Sequence, residues 1–226
     1  ATTLLHMLFA KTGHFFRYEA YLVALGIFVI AIAARDYWPQ KLSISFNQSL
    51  MIKCIAVVLL IYLIILPLRH RGLGSLMATP QATSNIYQQQ YQMGLFLKEF
   101  YQGEAVAAND IGAINYLADI NCLDLVGLGS LEVARAKRSG CYNTDKIYHL
   151  AKEKKIKIAI VYDPFSREEW IKVGQWTIPN NVVCAGDTVS FYAVEPEEES
   201  KLIENLRSFS SRLPADVKES GKYTSE

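Results

Sequence analysis

An almost unbroken apolar run from Leu50 to Leu68, LMIKCIAVVLLIYLIILPL, restricts this chain more than any other stretch. As a helix it would rise roughly 28 Å, near the hydrocarbon thickness of a bilayer, with its backbone polar groups satisfied internally. Lys53 lies close enough to the start for its ammonium to reach the interface along its own methylene stem, and Arg69, His70 and Arg71 close the run. A second run, Tyr18 to Ala34, would rise roughly 25 Å, a marginal span, with Glu19 at its start. Arg35, Asp36, Tyr37, Trp38 and Pro39 end it, and the aromatic pair suits the headgroup layer. The two runs predict a transmembrane hairpin. Residues 4–16, LLHMLFAKTGHFF, are too short to span and fit either the end of an earlier spanning helix or an interfacial one.

The composition changes after this region. Residues 1–71 read as a membrane segment, 72–83 as a linker carrying Gly72, Gly74 and Pro80, 84–213 as a soluble α/β domain and 214–226 as a polar tail. With Ala1 first and no charged leader ahead of a short apolar core, the expectation is a fragment or a processed chain rather than a signal peptide. A net charge of +1 and the lack of a dense basic patch with interleaved aromatics argue against nucleic acid as a partner.

The soluble part is organised by Glu104 to Ser130, EAVAANDIGAINYLADINCLDLVGLGS. Two short apolar runs, 104–108 and 122–126, each stop at turn residues and flank a helix expected over 111–118, which makes a β-α-β unit. Ahead of it, 84–101 reads as an amphipathic helix with Tyr87, Tyr91, Leu95, Phe96, Leu97 and Phe100 as a core stripe. After it come helices expected over 131–138 and 144–155, then a strand over 157–162, apolar throughout as a sheet covered on both faces requires. Ser166 and Glu169 have capping-box spacing. Strands are expected at 175–178, 181–184 and 188–194, and a terminal helix at 197–213 begins with acids that complement its dipole. The predicted fold class is a two-helix transmembrane hairpin followed by a three-layer α/β domain with a mostly parallel sheet.

Gly127, Gly129 and Ser130 follow a strand and precede a helix, as in a dinucleotide loop. Glu132 holds the third glycine position, where its charge would oppose a pyrophosphate, so no nucleotide cofactor is implied. Asn109, Asp110 and Asp124 sit at strand ends, where α/β sheets place ligand-binding groups. The competing reading gives Asp110 to a helix cap and Asp124 to a turn. His6, His14, His70 and His149 are scattered, and Cys54, Cys122, Cys141 and Cys184 have no C-x-x-C spacing, so no metal site is expected. The sequence shows no catalytic constellation.

Three runs resemble a known family: FFRYEAYLVALG at Phe15–Gly26, NDIGAINYLADINCLDLVGL at Asn109–Leu128 and GDTVSFYAVEP at Gly186–Pro196. Together they are similar to the C-terminal end of GT-C type bacterial integral membrane glycosyltransferases, the polyprenyl-phosphate-sugar-dependent mannosyltransferase-like and aminoarabinose-transferase-like proteins. The resemblance implies transfer of a sugar from a lipid-phosphate carrier, with acidic catalytic residues in a loop upstream of Ala1 and none in this chain. It implies a lipid bilayer and a polyprenyl-phosphate-sugar as partners, with Arg17, Arg69 and Arg71 as cations able to hold the lipid phosphate. The alternative for these arginines is plain interfacial anchoring, and the alternative for the chain is a non-catalytic membrane-anchored α/β binding module.

The resemblance also puts the protein in a bacterial inner or plasma membrane with its C-terminal domain outside the cytoplasm. The charge balance points the other way, since Lys11, Arg17, Arg69 and Arg71 outnumber Arg35 and Lys41. Long domains translocate largely regardless of flanking charge, and the expectation follows the resemblance. Outside the cytoplasm, a Cys122–Cys141 disulfide would be permitted.

Overall fold

In the computed structural model, residues 1–10, 15–35, 48–163 and 169–224 are described. They form two units, Ala1–Pro80 and Gln81–Glu226. The loop expected over 35–49, apart from its ends, and the cap at Ser166 lie outside the described residues.

The first unit is built from helices α1 (Thr2–Phe9) and α2 (Ala20–Ala34) and most of α3 (Gln48–Ile86). His6 is buried, and its Nδ1 lies 2.7 Å from the Tyr21 hydroxyl, which ties α1 to the start of α2. No residue of α2 is buried, and Ile27, Phe28, Ile30, Val58, Leu60 and Leu63 are all exposed. Among the described residues, one helical stretch, Cys54–Phe100, is long and apolar enough by length and composition to cross a bilayer; Ala20–Ala34 is apolar but shorter. At 15 residues, α2 rises roughly 22 Å, less than the hydrocarbon thickness.

Helix α3 does not stop at Leu68. It runs through Arg69–Arg71 and through the expected linker at 72–83, with Pro67 and Pro80 inside it. Each proline removes one i→i−4 bond, and helix on either side carries the chain across the gap. A five-residue π turn, Tyr87–Tyr91, follows directly and leads into α4 (Gln92–Phe100).

The second unit is a six-stranded mixed sheet with helices on both faces. Its strands are β1 (Ala105–Ala108), β2 (Asn121–Asp124), β3 (Ile158–Val161), β4 (Ile171–Thr177), β5 (Thr188–Ala193) and β6 (Lys218–Gly221), in the order β2-β1-β3-β5-β4-β6. The three strands expected from the β-α-β pattern are adjacent and parallel, β1 between β2 and β3. The remaining pairings are antiparallel, so the sheet is mixed rather than mostly parallel. The reason lies in the connections: β4 and β5 are joined by a loop with no helix to return the chain, and a strand pair so joined must run antiparallel.

Side-chain alternation divides the core. Val106, Ala108, Ile158 and Ile160 face α4, α5 (Gly112–Leu117) and α8 (Glu199–Ser210), whereas Ala107, Leu123, Ala159 and Val161 face α6 (Leu131–Arg138) and α7 (Thr144–Glu153). The first face carries an aromatic cluster, with Trp176 4.4 Å from Phe191 between ring centroids and stacked at 5.7 Å on Phe209.

Residues 181–184 are not a strand. Asn181 Oδ1 accepts from the backbone N–H groups of Val183 and Cys184 at 3.1 and 2.8 Å, a local turn that competes with a ladder. The polar tail also contributes a strand: β6 pairs with β4, and Tyr223 is buried with its hydroxyl accepting from Trp176 Nε1 at 3.0 Å. Gly174 makes room for that ring, because a Cβ there would lie 2.2 Å from Tyr223.

Candidate functional site

In an open α/β sheet, ligands bind beyond the carboxyl ends of parallel strands, where successive connections leave in opposite directions. Here that place lies between β1 and β3. From β1 the chain passes through α5 to β2, then through α6 and α7 back across β1 to β3. Asn109 and Asp110 follow β1; Tyr162 and Asp163 follow β3.

The crevice is filled by the chain itself. Gln88, Gln89 and Gln90 of the π turn are all buried. The π turn and the first turn of α4 are both enclosed, since Gln92, Met93 and Gly94 are buried as well. Tyr87 and Tyr91, expected in the core stripe, are exposed and stacked on each other at 5.5 Å.

Gln89 donates to the carbonyls of Gly186 and Asp187, both at 3.2 Å, and accepts from the Tyr162 hydroxyl at 2.8 Å. Gln90 donates to Asp110 Oδ2 at 2.9 Å and accepts from the Cys184 thiol at 3.4 Å. One turn earlier, Asn85 holds the 179–182 segment, donating to Pro179 O and accepting from Val182 N, both at 3.0 Å. Asn109 Oδ1 accepts from Tyr162 N at 2.9 Å and joins the two strand ends.

The three candidates at the strand ends therefore have different places. Asp110 does not cap α5, whose N-cap is Ile111 with no side-chain bond, because the buried Gln90 amide takes its carboxylate instead. Asn109 locks β1 to β3. Asp124 does orient a turn: its two oxygens accept from Val126 N at 2.8 Å and Gly129 N at 2.6 Å. Gly127 has φ +87, and Ser130 caps α6, so the glycine-rich loop serves this turn.

Burial sets the protonation of two groups here. Burial, then the charge of Asp110, pushes the Tyr162 phenol well above its ordinary range, and burial raises the Cys184 thiol. Both are neutral and poorly nucleophilic near pH 7. The Ser190 hydroxyl, donating at 2.7 Å, and then the Lys172 ammonium hold Asp163 below the usual carboxylate range, which makes it a fixed acceptor.

The arginine candidates belong to the first unit. Arg71 lies 4.7 Å from the centre of the Phe16 ring and lines, with His70, Ser75 and Phe15, a shallow hollow of about 280 Å³. Arg17 donates to the Tyr18 hydroxyl at 2.8 Å, and Arg69 is not among the residues lining the hollow.

All four cysteines are free. Cys122 faces α4 and α5, whereas Cys141 follows α6 on the other face and is exposed, so the sheet separates the pair considered for a disulfide. Gln89, Gln90, Tyr162 and Cys184 were not foreseen from the sequence. The signal for them was the YQQQY run, three adjacent amides in a helix otherwise rich in aromatics.

A family described as "Domain of unknown function (DUF8728)" matches residues 84–192, a stretch that takes in every side chain of this network. No curated protein and no solved structure matches the chain.

Proposed function

We propose that the chain is the C-terminal part of a bacterial membrane glycosyltransferase that takes a sugar from a polyprenyl-phosphate carrier. In this reading α2 and α3 form the transmembrane hairpin, and the α/β domain is extracytoplasmic and does not catalyse. The observation that carries it is the joining of α2 and the apolar, largely exposed 51–68 stretch of α3 to an α/β domain built on two of the runs that resemble this family. Asn109–Leu128 begins directly after β1 and forms α5, β2 and the start of the Asp124 turn, and Gly186–Pro196 forms β5 and its flanks. Arg71, with His70 and Ser75, is the cation placed to hold a lipid phosphate; Arg17 and Arg69 support it as further interfacial cations.

The second reading, a membrane-anchored module without transferase activity, is favoured by the filled crevice between β1 and β3. Protein expressed from the complete reading frame and reconstituted in liposomes with polyprenyl-phosphate-linked sugars decides between them. The first reading predicts protein-dependent loss of sugar from the carrier, unchanged in Asp124→Asn and with a raised KM for the donor in Arg71→Ala. Absence of transfer from every polyprenyl-phosphate sugar leaves only the module.

A further inference from the structure

A cleft of about 610 Å³ opens on the second unit, lined by Asp145, Tyr148, Lys152, Glu169, Trp170 and Glu195 among its polar and aromatic side chains. It lies at the opposite end of β3 from the glutamine network: Ile156 precedes β3 and Val194 follows β5, and both form its floor. That volume is in the range of small-molecule sites. The wall is not accidental in its spacing, since Asp145, Tyr148 and Lys152 stand three and four residues apart on one face of α7. Trp170 is buried against Tyr192 at 6.3 Å between ring centroids, which fixes the opposite wall, while Tyr148, in edge contact with His149 at 5.9 Å, is 41% exposed.

The chemistry of the lining selects the ligand. Three carboxylates face one ammonium, and none of the four forms an ion pair with a described residue. Counted over the described lining residues, a phosphate would meet net negative charge, which disfavours the lipid-phosphate donor there. Carboxylates accept from hydroxyls, an ammonium donates to hydroxyl and ring oxygens, and an exposed aromatic ring covers the C–H face of a pyranose. We infer that this cleft binds a neutral saccharide, with Tyr148 as the stacking surface and Asp145, Glu169, Glu195 and Lys152 as its hydrogen-bonding rim. Its role as the seat of an acceptor or product glycan rests on the glycosyl-transfer reading; its binding of sugar does not.

The test uses the whole protein in lipid nanodiscs, free of sugar-based detergents, titrated with glucose, galactose, mannose, N-acetylglucosamine and β-linked disaccharides by saturation-transfer NMR and calorimetry. Saturable binding of at least one sugar at roughly millimolar Kd is expected, weakened about tenfold or more by Tyr148→Ala and by Glu195→Gln. Tyr116→Ala, an exposed tyrosine on α5, leaves it unchanged. No saturable binding up to ~50 mM, binding indifferent to both cleft variants, or tighter binding of tetramethylammonium than of any sugar overturns the proposal. Sugar binding without carrier-dependent transfer removes the acceptor role alone, whereas transfer without sugar binding removes the cleft and leaves the transferase.

Discussion

The two ends of the α/β sheet have opposite characters. At the carboxyl ends of β1 and β3 the polar groups face inward and bond to one another: Gln89, Gln90, Asp110, Tyr162 and the 186–187 carbonyls form one network. At the other end of β3, Asp145, Lys152, Glu169 and Glu195 face solvent around an open cleft. A buried amide with its partners in place, as at Gln89 and Gln90, holds a single geometry, whereas Gln88 Oε1 beside them is buried with no partner among the described residues. Exposed charges around a cleft contribute little to stability but remain available. The contrast separates what this domain uses to stand up from what it has to offer.

Mutations at the two ends should therefore differ in cost. Gln89→Leu strips two carbonyls of a donor and leaves the Tyr162 hydroxyl without its acceptor in a buried place, a loss of about 2–3 kcal/mol in denaturant unfolding. Asp110→Ala removes one acceptor of the Gln90 amide, which keeps Gln89 Oε1 and the Tyr162 hydroxyl, and costs about 0.5–1.5 kcal/mol. Tyr148→Ala and Glu195→Gln stay within roughly 0.5 kcal/mol of wild type. Equal losses at both ends would erase the distinction.

Thiol labelling sharpens it. Near pH 7.5 iodoacetamide should reach Cys141, which is exposed, well before Cys122 and Cys184, whose thiols are raised by burial. Labelling of Cys141 that requires prior reduction would instead point to a disulfide.

The smallest effect expected is in acid. Asp163 has a native pKa below its ordinary value of 3.8, so its contribution is full above that value and is lost as pH falls through the lower native one. The group is mostly exposed, and solvent reduces the effect. Asp163→Asn should flatten the acid limb of the stability curve slightly without moving stability at neutral pH by more than the lost hydrogen bonds.

Much of this domain was legible in the residues. The span of α6, the adjacency of β1, β2 and β3 and the Asp124 turn all follow from local chemistry that tertiary structure did not override. Most of the failures have a common cause, which is competition from distant partners. Asp110 has the position of a cap but meets Gln90 from a helix twenty residues earlier. Tyr87 and Tyr91 fit a 3.6-residue stripe that the π turn breaks. Lys218–Gly221 carries no apolar alternation, and its ladder to β4 is supported by the burial of Val217 and Tyr223 beside it and by Ser210 donating to Glu219. The helical path of residues 72–83 through Gly72, Gly74 and Pro80 runs against turn chemistry, as the continuation of a helix already formed upstream. The site candidates were found only in part, because strand-end position locates a crevice without revealing that glutamines from elsewhere fill it.

Native-state amide hydrogen exchange on the whole protein tests the closed end against the open one most directly. Residues 85–92 and the 178–190 segment, bound through Asn85 and Gln89, should exchange only with global unfolding, while 144–152 of α7 and 194–198 exchange through local opening. Rapid exchange of the 178–190 segment under native conditions would mean that the glutamine network does not hold, and would return the crevice between β1 and β3 to the list of places where a ligand can bind.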